Sequence, residues 1–173
     1  MKKIKFILLL LIASITSKAQ FIKADLIASG LTCSMCSFAT QKQLKTLSFI
    51  DSIGTDLNHT TFVLFFKKDA EIDFNLIKKK VEDAGFSVAS LIITVHFDNV
   101  KLENNVSFNY KNILFYFVNT KQQVLNGDTK IKILDKGFVN DKEYKKYLKT
   151  LGESTFAGTK KDPNKQEYHL TVL

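Results

Sequence analysis

Gly30-Leu31-Thr32-Cys33-Ser34-Met35-Cys36 decides how this chain is read. It holds both cysteines of the 173-residue sequence. The run before it, Phe21 to Ala28, alternates: Ile22, Ala24, Leu26 and Ala28 share one face, and Lys23 and Asp25 lie on the other. That period of two predicts a half-buried strand. Gly30 breaks the run. The stretch after it, Ser34 to Leu47, has no proline. It predicts a helix with Ala39, Leu44 and Leu47 inward and Gln41, Lys42 and Lys45 outward. The cysteine pair therefore stands where a strand gives way to a helix.

The same reading continues outward. Ile50 to Leu57 predicts a short strand, weakened by Gly54, and Asn58-His59-Thr60 a turn. Thr61 to Phe66 is rich in β-branched and aromatic residues and predicts a strand. Asp73 to Ala84 predicts a second helix with Ile77, Val81 and Ala84 on one face and Lys78, Lys79, Lys80 and Glu82 on a solvated face. Gly85 ends it, and Phe86 to Phe97 is again strand-like. The order β-α-β-β-α-β is the pattern of a ferredoxin-like α+β sandwich, with two helices on one face of an antiparallel sheet.

At this point the residues resemble a family. Gly30 to Cys36 is similar to the Gly-Met-Thr-Cys-x-x-Cys loop of heavy-metal-associated domains, found in copper chaperones, metal-exporting ATPases and periplasmic mercury-binding proteins. Leu44-Lys45-Thr46-Leu47, Asp56-Leu57 and Val81-Glu82-Asp83-Ala84-Gly85-Phe86 resemble the same family's later motifs, so the likeness covers about residues 21–97. Leu31 stands where Met is common, and Thr40, Ser48 and Phe49 depart from an apolar residue and a Pro-Gly turn. The resemblance implies a metal site at Cys33 and Cys36 and transfer of Cu(I) by ligand exchange. It also implies a metal-transporting ATPase, or another donor or acceptor protein, as partner, and an aromatic packing role for Phe86.

The chemistry of the pair leads the same way. Thiolate is the ligand form, and the positive end of a helix favours it. Two thiolates select soft ions: Cu(I), Hg(II), and Zn(II) if further ligands arrive; with the resemblance, Cu(I) is the favoured ion. No His, Asp or Glu adjoins the pair, so no closed four-ligand zinc site is visible. Met35 is a candidate thioether ligand, set against a solvent-facing side chain. The competing reading of the cysteines is a disulfide, idle or redox-cycling, in an oxidising compartment. A thioredoxin-type enzyme fits less well, because the only proline is Pro163, far from the pair. His59, His96 and His169 are scattered and read as ordinary surface or sheet residues. No arrangement of catalytic groups is legible, and the expectation is a protein that is not an enzyme.

Met1-Lys2-Lys3-Ile4-Lys5, the apolar run Phe6 to Ala13 and Ser17-Lys18-Ala19 match a secretory signal peptide, residues 1–19, cleaved after Ala19. The apolar run is too short to span the bilayer core, so the expected location is the periplasm or the extracellular space, with no stable membrane span after cleavage. Cleavage removes four lysines and no acid, taking the formal charge from +8 to +4. Every basic residue other than histidine is lysine. Without arginine the best tool for reading base edges is missing, and nucleic acid is not an expected partner.

Residues 98–173 read as a second, β-rich unit. Asp98 to Asn105 is polar and suggests a connector after a first domain of residues 20–97. Ile113 to Val118 is apolar on both faces and predicts a central strand. Asn126-Gly127-Asp128 predicts a turn, and Lys130 to Leu134 a strand. Asn140 to Glu143 resembles a capping box for a helix with Tyr144, Tyr147, Leu148 and Leu151 on its apolar face. Ser154 to Lys165 reads as loop and Tyr168 to Val172 as a closing strand. An OB-like barrel with one helix is the candidate architecture for this unit. An adaptor role, with this unit binding a protein partner, is the alternative to metal relay.

Overall fold

In the computed structural model the described residues are 19–56, 60–103, 107–156 and 165–173. The signal-peptide reading of residues 1–18, the turn at His59 and the region of Pro163 lie outside them. Among the described residues the strands are β1 (Gln20–Ser29), β2 (Ile50–Asp56), β3 (Thr61–Phe66), β4 (Ser87–Leu102), β5 (Ser107–Tyr110), β6 (Ile113–Phe117), β7 (Gln123–Ile133) and β8 (Gln166–Val172). The helices are α1 (Ser34–Leu44), α2 (Phe74–Asp83), α3 (Asp141–Leu151) and the single turn α4 (Glu153–Phe156).

The strands form one sheet in the order β2-β3-β1-β4-β7-β8-β6-β5. Neighbours run antiparallel except β6 and β8, which are parallel. The first four strands, with α1 and α2, reproduce the expected ferredoxin-like arrangement. Alternation explains its core: Ala24 and Leu26 of β1, Phe62 and Leu64 of β3, and Leu91 and Ile93 of β4 are buried. Leu44 of α1 and Ile77 and Val81 of α2 join the same apolar cluster. Asp73 caps α2, its Oδ1 accepting from the amides of Asn75 at 2.8 Å and Leu76 at 3.2 Å.

The C-terminal half departs from expectation. It is no separate barrel: its strands extend the same open sheet from the β4 edge. β4 runs through position 97, where a domain boundary was expected, and on to Leu102. Asp98 and Asn99 are not connector residues. They form a bulge, because Phe97 pairs with Gly127 and Val100 with Leu125, setting two residues against Asn126 alone. Asn99 (φ 50°) and Gly127 (φ 80°) take the left-handed conformation there. Asn126-Gly127-Asp128 is accordingly part of β7 and not a turn, since a bulge and a turn use the same residue types. Residues 104–106 of the expected connector lie outside the described residues.

The two halves share one core. Phe74 of α2 meets Phe21 of β1, Phe115 of β6 and Tyr168 of β8, with ring centroids 5.7, 6.4 and 5.4 Å away. Lys111, between β5 and β6, donates to the carbonyls of Asp69 (2.7 Å) and Ala70 (3.1 Å), ahead of α2. On the other face of the sheet, α3 is tethered by Lys132 of β7, whose ammonium lies 2.5 Å from Glu143 Oε1. Asn140 caps α3 through the Glu143 amide at 2.9 Å. The tyrosines and leucines of its apolar face are half-buried.

Candidate metal-binding loop

β1 ends at Ser29, whose hydroxyl lies 2.6 Å from that of Ser87 at the start of β4. This clasp fixes the base of the loop. Gly30 then turns the chain with φ +88°, a region where a side chain is strained. A Cβ on Gly30 would sit 3.5 Å from Phe86 Cδ1, so the Phe86 ring lies beneath the loop. Phe86 is delivered there by the end of α2. Gly85, also at φ +88°, lets the Phe86 amide bond back to the Val81 carbonyl at 3.1 Å. Leu31 packs on the core cluster and anchors the loop from inside.

Cys33 is the N-cap of α1, in extended conformation. Its Sγ accepts the Cys36 amide N–H at 3.2 Å, and its carbonyl accepts the Ser37 amide at 3.2 Å. A sulfur in the N-cap position takes the place of the usual Ser or Asp oxygen. A free amide pointed at sulfur stabilises negative charge on it once the pair is reduced. Cys36 lies in the first turn. The two Cα atoms are 5.3 Å apart and the sulfurs converge, joined as a disulfide in this structure. Cys33 is exposed and Cys36 half-buried, so the pair faces solvent at the rim of the sandwich.

Met35 is 72% exposed, the solvent-facing position set against ligation in the sequence reading. Among the described residues no group of three His, Cys, Asp or Glu side chains comes together, so two sulfurs are the whole donor set there. His96 pairs with Asp128 at 2.7 Å on the surface. His169 is buried and held by Asp135, which accepts its backbone amide at 2.7 Å and lies 2.8 Å from its Nδ1. Neither histidine belongs to the cysteine loop.

The helix behind the cysteines differs from expectation. α1 ends at Leu44, not Leu47, and its inward residues are Ser37, Thr40 and Leu44. Ala39 faces out, and Phe38 is 60% exposed. Thr40 can be buried because its hydroxyl donates to the Cys36 carbonyl at 3.0 Å. The Ser29–Ser87 clasp and the exposed Phe38 had no signature in the sequence. Gly30 had one, a glycine between a strand and a helix start.

No protein-family model matches the chain, and no curated protein matches it. Solved structures do resemble part of it. The CopZ metallochaperone matches over 39% of this chain and 98% of its own, at 21% identity and a TM-score of 0.36. The yeast copper transporter domain Ccc2a, solved in apo and Cu(I)-loaded states, matches over 38% and 88%, at 28% identity and a TM-score of 0.34. The N-terminal domain of ZntA in its apo form matches over 39% and 89%, at 16% identity and a TM-score of 0.34.

Proposed function

We propose that this chain is an exported carrier of a soft metal ion, Cu(I) in the first place, which it takes up and passes on through Cys33 and Cys36. The observation that carries this reading is the convergence of two solvent-facing sulfurs on the amide-rich end of α1. Uptake starts from the reduced pair. A dithiol reductant supplies two electrons and two protons, opening the disulfide to two thiols and leaving itself oxidised. Cu(I) then displaces the two thiol protons and is held by two thiolates. With no third protein ligand beside it among the described residues, the ion stays open to attack by an incoming thiolate, and stepwise exchange hands it to a partner's cysteines. A metal-transporting ATPase with its own cysteine pair is the partner we propose. The chain acts by binding and release and catalyses no reaction. Hg(II) and Zn(II) are the alternative cargoes.

A second reading rests on the disulfide itself: a thiol-disulfide protein whose cargo is electrons. Native mass spectrometry of the chain recovered from the periplasm separates the two. The carrier reading predicts loss of residues 1–19 and one bound Cu(I) replacing two protons. A metal-free chain that turns over a disulfide substrate would favour the redox reading.

A further inference from the structure

A cleft of about 540 Å³ lies between α2, the segment after β7, the start of β8, and residues of α3 and α4. Phe138, Tyr144, Phe156 and Tyr168 line it; Phe138 and Tyr168 are buried, so Tyr144 and Phe156 present its aromatic surface. Tyr144 and Phe156 pack edge to face at 5.6 Å, and Phe138 and Tyr168 do the same, also at 5.6 Å. Its rim is cationic, carrying Lys78, Lys136 and Lys165.

Lys78 was expected on a solvated helix face beside Lys79 and Lys80. Those two pair with Asp83, at 3.1 and 3.7 Å, but Lys78 does not. Its ammonium sits 5.3 Å from the centroid of the Phe138 ring. Its Cδ lies 3.0 Å from where a Gly137 Cβ would be, and Gly137 has φ +85°. The glycine thus admits the lysine stem, and the ring beside it orients the charge. Among the described residues none of the three lysines makes an ion pair. Of the two carboxylates at the cleft, Asp135 spends both oxygens on His169, at 2.7 and 2.8 Å. Two carboxylates, Asp135 and Glu167, face three lysines in the lining, and the charges of Asp73 and Glu153 reach Tyr168 and Tyr144 from beside it.

We propose that this cleft binds a small organic anion, a phosphate or carboxylate group carried on an aromatic ring. The ring lies against Tyr144 and Phe156, and the charge is met by the lysines at the rim. The argument stands apart from the metal reading, since no cleft residue belongs to the cysteine loop.

The test is a titration of the full-length chain with phenyl phosphate, followed by amide NMR shifts. Benzoate is run in parallel to tell a phosphate head from a carboxylate one, with phenol and inorganic phosphate as controls. The proposal predicts saturable shifts at Lys136, Gly137, Phe156 and Glu167 from phenyl phosphate or benzoate. It predicts weaker binding of phenol and of inorganic phosphate alone, and at least tenfold weaker binding in a Lys136→Gln/Lys165→Gln variant. A Cys33→Ser/Cys36→Ser variant should bind the probe unchanged. Absence of saturable shifts with both aromatic anions, equal binding of phenol, or equal binding by the lysine variant would each overturn it.

Discussion

Phe74 of α2 and Tyr168 of β8 pack edge to face, with ring centroids 5.4 Å apart and planes at 83°. One belongs to the ferredoxin-like half and the other to the last strand of the chain. Phe74 is fully buried and also touches Phe21 and Phe115. With one sheet and one apolar cluster spanning both halves, unfolding should be a single cooperative event. Differential scanning calorimetry of the intact chain should show one transition, and two resolved transitions would contradict the shared core. Phe74→Ala should lower stability by about 3–5 kcal/mol while keeping that single transition.

Gly30 sets the entry to the cysteine loop. At φ +88° a substitution to alanine is strained, and the new methyl group meets the Phe86 ring. Gly30→Ala should cost about 1–2 kcal/mol in denaturant unfolding. An unchanged midpoint would mean that the loop can take another conformation without penalty.

Tyr147 provides a pH signature in the other half. Burial first, then its 3.0 Å hydrogen bond to Glu143 and that carboxylate's charge, push its pKa up to about 12 from 10.0. The folded state therefore holds the proton more tightly than the unfolded state does. The stability this gives is fully present below about pH 10 and is lost as pH rises toward 12. Burial raises Tyr168 in the same direction. Urea unfolding across this window should show stability falling with pH, and falling less steeply in Tyr147→Phe. Identical slopes would argue against the Glu143 contact.

Much of this architecture is readable in the sequence. The alternation in β1, the apolar β3 and the amphipathic α2 report their own environments, so the ferredoxin-like half followed from local pattern. The C-terminal half did not. Asp98, Asn99 and Gly127 have the chemistry of chain breaks, yet a bulge uses the same left-handed residues without leaving the sheet. Strand partners are also long-range facts: nothing local in Gln166 to Val172 says that β8 lies parallel to β6. The phase of α1 differs from expectation at Ala39 because two of its three buried positions, Ser37 and Thr40, are polar. Their polarity hid the inward face until the Thr40 bond to the Cys36 carbonyl became visible. The cysteine pair was legible as a unit, since three-residue spacing at a helix start leaves little freedom. The anion cleft was not, because its walls come from α2, α3, α4, the segment after β7 and the start of β8.

Thiol ionisation links metal uptake to pH. On the proposed carrier reading, Cu(I) held by two thiolates releases two protons on binding, so affinity should rise with pH until both thiols are ionised. Release of one proton per ion instead of two, at a pH where both thiols are protonated, would mean that only one sulfur binds the ion.

The most direct measurement is a Cu(I) titration of the reduced chain against a competing chelator, alongside the Cys33→Ser/Cys36→Ser variant. The account predicts one Cu(I) per reduced chain, no binding by the disulfide form, and at least about a thousandfold (~4 kcal/mol) loss in the double variant. Undiminished affinity in the double variant would place the metal elsewhere and contradict the central claim.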